Sequence, residues 1–168
     1  MKKQHLILLV LVLGLGWWGT THPATAQSGT FFEKLKGLAG EWEGQTPGEP
    51  SVKASYLVVS NGSAVLETVQ PAAEPSMITV YHMDKDALRM THYCGSQNQP
   101  RMKAISVSPD GKVASFELTD ITNLAKPTDG HMKNLEITFL DLDHIIQKWT
   151  WVENGQKRDY VFHLTRLK

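Results

Sequence analysis

From Gly40 to the end of the chain, apolar residues recur at every second position; before Gly40 they do not. Gly40-Glu41-Trp42-Glu43-Gly44 sets the rule, with tryptophan on one side and both carboxylates on the other, as side chains on a strand must lie. The same period of two runs through residues 52–59, 64–69, 77–83, 88–94, 102–107, 113–119, 135–140, 145–152 and 160–167. With the Trp42 strand, that makes about ten short strands. Asn61-Gly62, Asp84-Lys85-Asp86, Pro109-Asp110-Gly111 and Asn154-Gly155 fall between them and supply the turn chemistry of hairpins. Strands joined this way pair antiparallel with their sequence neighbours. A ten-strand meander left open carries two unpaired edges, and closing it into a barrel removes both. The fold class expected is therefore all-β, an antiparallel up-and-down β-barrel, with a β-sandwich as the competing arrangement.

Ahead of the strands the spacing is helical. Thr30 and Glu33 stand at the capping-box distance, and Phe31, Leu35 and Leu38 follow on one face. A short amphipathic helix starting at Thr30 is expected to close one end of the barrel. Two connections exceed hairpin length, residues 95–100 and 120–133, and the second is long enough for a lid or a short helix.

Residues 1–26 read as a secretory signal peptide. Lys2 and Lys3 open it, Leu6 to Trp18 form its apolar core, and Ala24-Thr25-Ala26 satisfies the A-x-A cleavage rule. The apolar run falls short of the ~20 residues of a membrane span. Residues 27–168 then form one exported domain, periplasmic or secreted, with no membrane insertion after cleavage. The full chain balances 17 basic against 17 acidic side chains, and losing two lysines leaves a formal −2. No cluster of Lys and Arg marks a nucleic-acid partner. Cys94 is the sole cysteine, so no internal disulfide forms and the hydrophobic core must hold the domain.

Gly40-x-Trp42-x-Gly44, placed after a short helix and followed by strands alone, resembles the start of the calycin superfamily, which includes lipocalins, fatty-acid-binding proteins and nitrobindins. The run LRMTHYC…NQPRM, residues 88–94 and 98–102, is similar to one found in secreted bacterial lipocalin-like proteins, and it brings no activity with it. The resemblance implies that Arg166, near the end of the last strand, packs across Trp42 at the closed end in a cation–π contact of roughly 1 kcal/mol. These four residues, Gly40, Trp42, Gly44 and Arg166, are then structural and lie outside any binding site. Nitrobindins bind haem through a histidine near the C-terminus, and His163 is the positional match. However, Tyr160, Phe162, Leu164 and Arg166 make the more apolar face of that strand, which turns His163 outward. Apart from haem, for which His92 or His144 would be the substitute ligands, no cofactor is implied.

The stretch from Met77 to Met102 concentrates the chemistry. If the Asp84 turn pairs Met83 with Leu88, then Met77, Thr79, Tyr81, Met83, Leu88, Met90, His92 and Cys94 share the inward face. His92 and Cys94 stand side by side on it. They suit a nucleophilic pair in a hydrolase or isomerase, two metal ligands completed by His131 or His144, or the polar part of a ligand pocket. The pocket is the leading reading. Tyr81, Met90, His92, Cys94, Trp149 and Trp151 are its candidate lining, and Arg101 is the candidate anchor for a carboxylate or phenolate. The partner expected is a small apolar or amphipathic molecule; the remaining alternative is a filled barrel with a structural or interaction role.

Overall fold

The computed structural model describes residues 24–44, 51–72 and 74–168. The expected signal peptide lies outside the described residues, save for the backbone of 24–26. Ten strands follow one helix: α1 (Ala24–Lys36), β1 (Gly40–Gly44), β2 (Val52–Val59), β3 (Ala64–Pro71), β4 (Met77–Asp84), β5 (Ala87–Tyr93), β6 (Gln99–Val107), β7 (Val113–Thr122), β8 (His131–Phe139), β9 (His144–Glu153) and β10 (Gln156–Arg166). Each strand pairs antiparallel with the next, and β1 also pairs with β10, so the sheet closes into a barrel with no free edge. The sandwich alternative is thereby excluded.

The turns do what their residues allow. Asn154 and Gly155, at φ of 49° and 75°, form a two-residue loop that sets Glu153 opposite Gln156. Positive φ at both loop positions gives the twist that a hairpin needs, and Asn-Gly tolerates it at least cost. Met83 stands opposite Leu88, as the Asp84 turn implies, and that register turns His92 inward.

Two expectations are corrected. The helix begins at Ala24, so Thr30 lies inside it and not at its N-terminus. No residue from Ala24 to Gly29 forbids a helix, and Glu33 spends its carboxylate on Lys36 at 2.8 Å rather than on a capping box. The 120–133 connection is neither lid nor helix, because β7 runs on to Thr122 and β8 starts at His131. The loop that remains, residues 123–130, is tied down. The Asn123 amide donates to Gln97 O, the Asn98 amide donates to Gly130 O at 2.9 Å, and Asn154 N donates to Thr128 O at 2.9 Å.

α1 plugs the end of the barrel where β1 begins and β10 finishes. Phe31, Phe32, Leu35 and Leu38 are buried against it, and Phe31 meets Phe139 edge-on at 5.2 Å. Trp42 stands opposite Arg166 in register, donates its indole N–H to Leu38 O at 2.8 Å, and carries the guanidinium at 4.4 Å from its ring. Arg166 also donates to Gly37 O at 2.8 Å and Ala39 O at 2.9 Å, satisfying carbonyls just beyond the helix C-terminus where a cation belongs. A Cβ at Gly44 would lie 2.5 Å from His163 O, so only glycine lets β1 approach β10 this closely.

Candidate functional site

The lumen is divided by its own side chains. Towards α1 it is packed solid with Trp42, Leu88, Phe116, Ile137, Phe139 and Ile145. Above that packing lies a polar layer built across the barrel. Glu67 on β3, wholly buried, accepts from the hydroxyls of Tyr56 on β2 at 2.6 Å and Tyr81 on β4 at 2.8 Å, and from the Gln147 amide on β9. Gln147 also donates to Tyr56 Oη at 2.7 Å and accepts from Trp149 Nε1 at 3.0 Å. Donors converging on both carboxylate oxygens are what a buried carboxylate requires in place of water.

His92 joins this layer through Thr79. Register sets Glu67, Thr79 and His92 in a row across β3, β4 and β5, and Thr79 Oγ1 lies 2.9 Å from His92 Nδ1. The Thr79 hydroxyl also interacts with Glu67 and Tyr81. On its other side the imidazole is tilted against Trp149, with ring centroids 4.7 Å apart. Its Nε2 is buried and meets no hydrogen-bond partner among the described residues.

Burial dominates the electrostatics of the layer. It raises the Glu67 carboxyl above the usual range, against the pull of its hydrogen-bond donors. It also raises both tyrosines well above the phenol range, helped by the nearby Glu67 charge. Desolvation lowers His92 to about 4, so the imidazole is neutral at ordinary pH.

Above the polar layer, at the end opposite α1, the barrel opens into a cavity of about 600 Å³. Its walls are apolar and aromatic: Val69, Met77, Met132, Trp149, Trp151, Tyr160 and Phe162, with His92 and Cys94 among the lining. The Arg158 guanidinium lies 4.7 Å from the Tyr160 ring near the mouth. Trp151 is positioned by a close approach, since a Cβ on Gly130 would come within 1.9 Å of its Cζ2.

The candidates read from the sequence are thus separated. His92, Cys94, Trp149 and Trp151 line the cavity. Tyr81 and Met90 do not, being buried in the packing and the polar layer. Arg101 is the clear correction. Pro100 and Met102 turn inward on β6, which leaves the guanidinium outside, half-exposed and paired with the Asp120 carboxylate. It cannot reach a ligand in the lumen. His163 is exposed on the outer face, so haem ligation through it does not fit, and His144 is held outside by Asp141 at 2.9 Å. His131 gives its Nδ1 to Asp129 O at 2.8 Å, and among the described residues no group of three His, Cys, Asp or Glu side chains gathers as a metal site.

The sequence reading passed over Glu67 and Gln147. Both carried a signal: Val65, Glu67 and Val69 share one face of β3, and Ile145, Gln147 and Trp149 share one face of β9. A lone polar residue between two apolar ones on an inward face marks a buried polar group.

Neither the comparison with protein-family profiles nor that with curated proteins finds a match. Among solved structures, the crystal structure of Rv2717c from M. tuberculosis is similar at a TM-score of 0.56 and 17% identity, over 82% of this chain and 98% of that one. At that identity the likeness is one of fold.

Proposed function

We propose that this protein binds a small, mainly apolar molecule in the open half of its barrel, as an exported carrier or sensor of the lipocalin type. The observation that carries the reading is the division of the lumen, in which one half is filled with side chains and the other is an aromatic-walled cavity of about 600 Å³. Cavities of roughly 300–1,000 Å³ with a few fixed polar groups are typical small-molecule sites. Burying about 200 Å² of apolar ligand surface there supplies roughly 5 kcal/mol before the costs of association. The calycin-type start at Gly40-x-Trp42-x-Gly44 and the signal-peptide reading of residues 1–26 support export and a carrier role; a mature N-terminus at Gln27 is the corresponding expectation.

The test is a neutral reporter such as N-phenyl-1-naphthylamine, which fluoresces when it leaves water. Binding at one site per chain, with quenching of tryptophan, is expected. The decisive variant is Gly130→Ala, because the new methyl forces the Trp151 indole to move from its place in the cavity wall. It should weaken the reporter roughly tenfold or more while leaving the barrel folded, a loss of at least one buried-group contact. A wild-type protein that binds neither this reporter nor any molecule retained through native mass spectrometry would defeat the proposal.

A further inference from the structure

A second hollow lies outside the lumen, at the open end of the barrel. Residues 96–98, the 123–130 loop and the end of β9 enclose a cleft of about 440 Å³. Hydrogen bonds between these segments fix its frame: the Asn98 amide donates to Gly130 O, and the Asn123 amide donates to Gln97 O. Asn154 N donates to Thr128 O, which holds together the segments that carry Glu153 and Asp129. Trp151 borders both this cleft and the lumen cavity. A Cβ on Gly130 would stand 1.9 Å from Cζ2 and 2.7 and 2.8 Å from the two ring carbons beside it, an approach to the edge of the indole that leaves its faces uncovered by this glycine. The chemistry of the lining differs from that of the lumen. Gln97, Asn123, Asp129 and Glu153 supply carboxamides and carboxylates, Ser96 adds a hydroxyl, and no lysine or arginine joins them. Ser96, Gln97 and Glu153 are exposed, and their side chains make no hydrogen bond or ion pair among the described residues.

We propose that this cleft binds a neutral, hydroxyl-rich ring molecule, a sugar, against Trp151. Each sugar hydroxyl both donates and accepts, so it suits a wall where carboxylates accept and carboxamides do both. Its bonds to the Asp129 and Glu153 carboxylates are charge-assisted, the stronger kind. The C–H face of a sugar ring matches the indole, whose π face is negative and draws polarised C–H groups. Other classes fit worse. An anion is repelled by the two carboxylates. An apolar molecule strips water from them and returns no hydrogen bond. A metal ion lacks its ligand set, because among the described residues no three His, Cys, Asp or Glu side chains gather. This site is separate from the lumen cavity and does not depend on what the lumen holds.

The test titrates the purified full chain near neutral pH with glucose, galactose, the two matching uronates and tetramethylammonium. Calorimetry gives the affinities, and the indole N–H resonance of Trp151 reports the place. One of the neutral sugars should bind at one site per chain and shift that resonance, and its uronate should bind roughly tenfold more weakly or worse. Glu153→Gln and Gln97→Gly should each weaken the sugar roughly fivefold, the worth of one hydrogen bond. Both side chains are exposed, and a φ of 66° at Gln97 suits glycine, so the barrel should stay folded. N-phenyl-1-naphthylamine should still bind the lumen with the sugar in place and in both variants. The assignment is overturned if neither sugar binds, if a uronate binds as well as its sugar, if tetramethylammonium alone shifts the Trp151 resonance, or if the sugar competes with the reporter. Each of these results leaves the reporter's own binding, and with it the lumen reading, to stand or fall by itself.

Discussion

Truncating Glu67 strands several groups at once, because Tyr56, Tyr81 and Gln147 all aim hydrogens at it inside the barrel. Glu67→Ala should destabilise the protein by roughly 2–4 kcal/mol, read as a lower denaturant midpoint, since the cost is that of unmade buried hydrogen bonds more than of a lost contact. Tyr56→Phe, which removes one donor and keeps the ring, should cost nearer 1 kcal/mol. His92 makes a pH-dependent contribution of known sign. Its folded value of about 4 lies below the ordinary imidazole value of 6.5, so its stabilising effect is whole above pH 6.5 and is lost as pH falls towards 4, where the unfolded chain takes up a proton that the folded one refuses. The loss amounts to roughly 3 kcal/mol over that window, at about 1.4 kcal/mol per pH unit. Glu67, raised by burial, acts in the opposite direction, so the clean measurement is the difference between wild type and His92→Phe in denaturant melts across pH. A difference that stays flat from pH 7 to 4 would show that His92 titrates normally.

At the scale of elements, the closed end depends on one side chain serving two partners. Arg166 covers the Trp42 ring and satisfies carbonyls of Gly37 and Ala39, so it fastens α1 to the strand pair that closes the barrel. Arg166→Ala should cost roughly 2–3 kcal/mol, as charge-assisted hydrogen bonds and a cation–π contact are lost together. The loss should appear first as faster hydrogen exchange in α1, before the barrel as a whole opens. Elements were largely legible from sequence. Strand positions follow from alternation and turn residues, and both are local. Helix length was not legible, because α1 owes its residues before Thr30 to permissive composition and its face to packing on a barrel that local pattern does not show. The 123–130 loop is fixed by Gln97, Asn98 and Asn154 from elsewhere in the chain, a tertiary fact with no local trace. Arg101 was misplaced for a related reason. The loop before β6 leaves the phase of that strand open from sequence alone, whereas on β6 itself Pro100 and Met102 alternate with Arg101, the extra residue at the adjacent register shift being Thr119 on β7.

For the whole molecule, the informative property is that a ten-strand lumen is wider than its side chains fill. Alternation identified inward-facing residues, so packing and cavity wall stood together among the candidates Tyr81, Met90, Trp149 and Trp151. It could not sort them by depth. Which inward residues meet each other depends on strand stagger around the closed sheet, and that is why Tyr81 and Met90 proved to be packing while Trp149 and Trp151 proved to be cavity wall. The same closure has a kinetic side. β1 and β10 lie at opposite ends of the described chain, yet Trp42 faces Arg166 across their pairing. Until the last strand has been synthesised, the sheet cannot close, because β1 lacks the partner that completes the barrel and Arg166 is not there to fasten α1. Such a chain reaches its native topology late and through its most distant contact, which favours slow folding. Were the chain exported unfolded, as the proposed carrier role requires, lateness of this kind would be an asset: the sequence that seals the barrel would also be the one that holds it open long enough to be threaded.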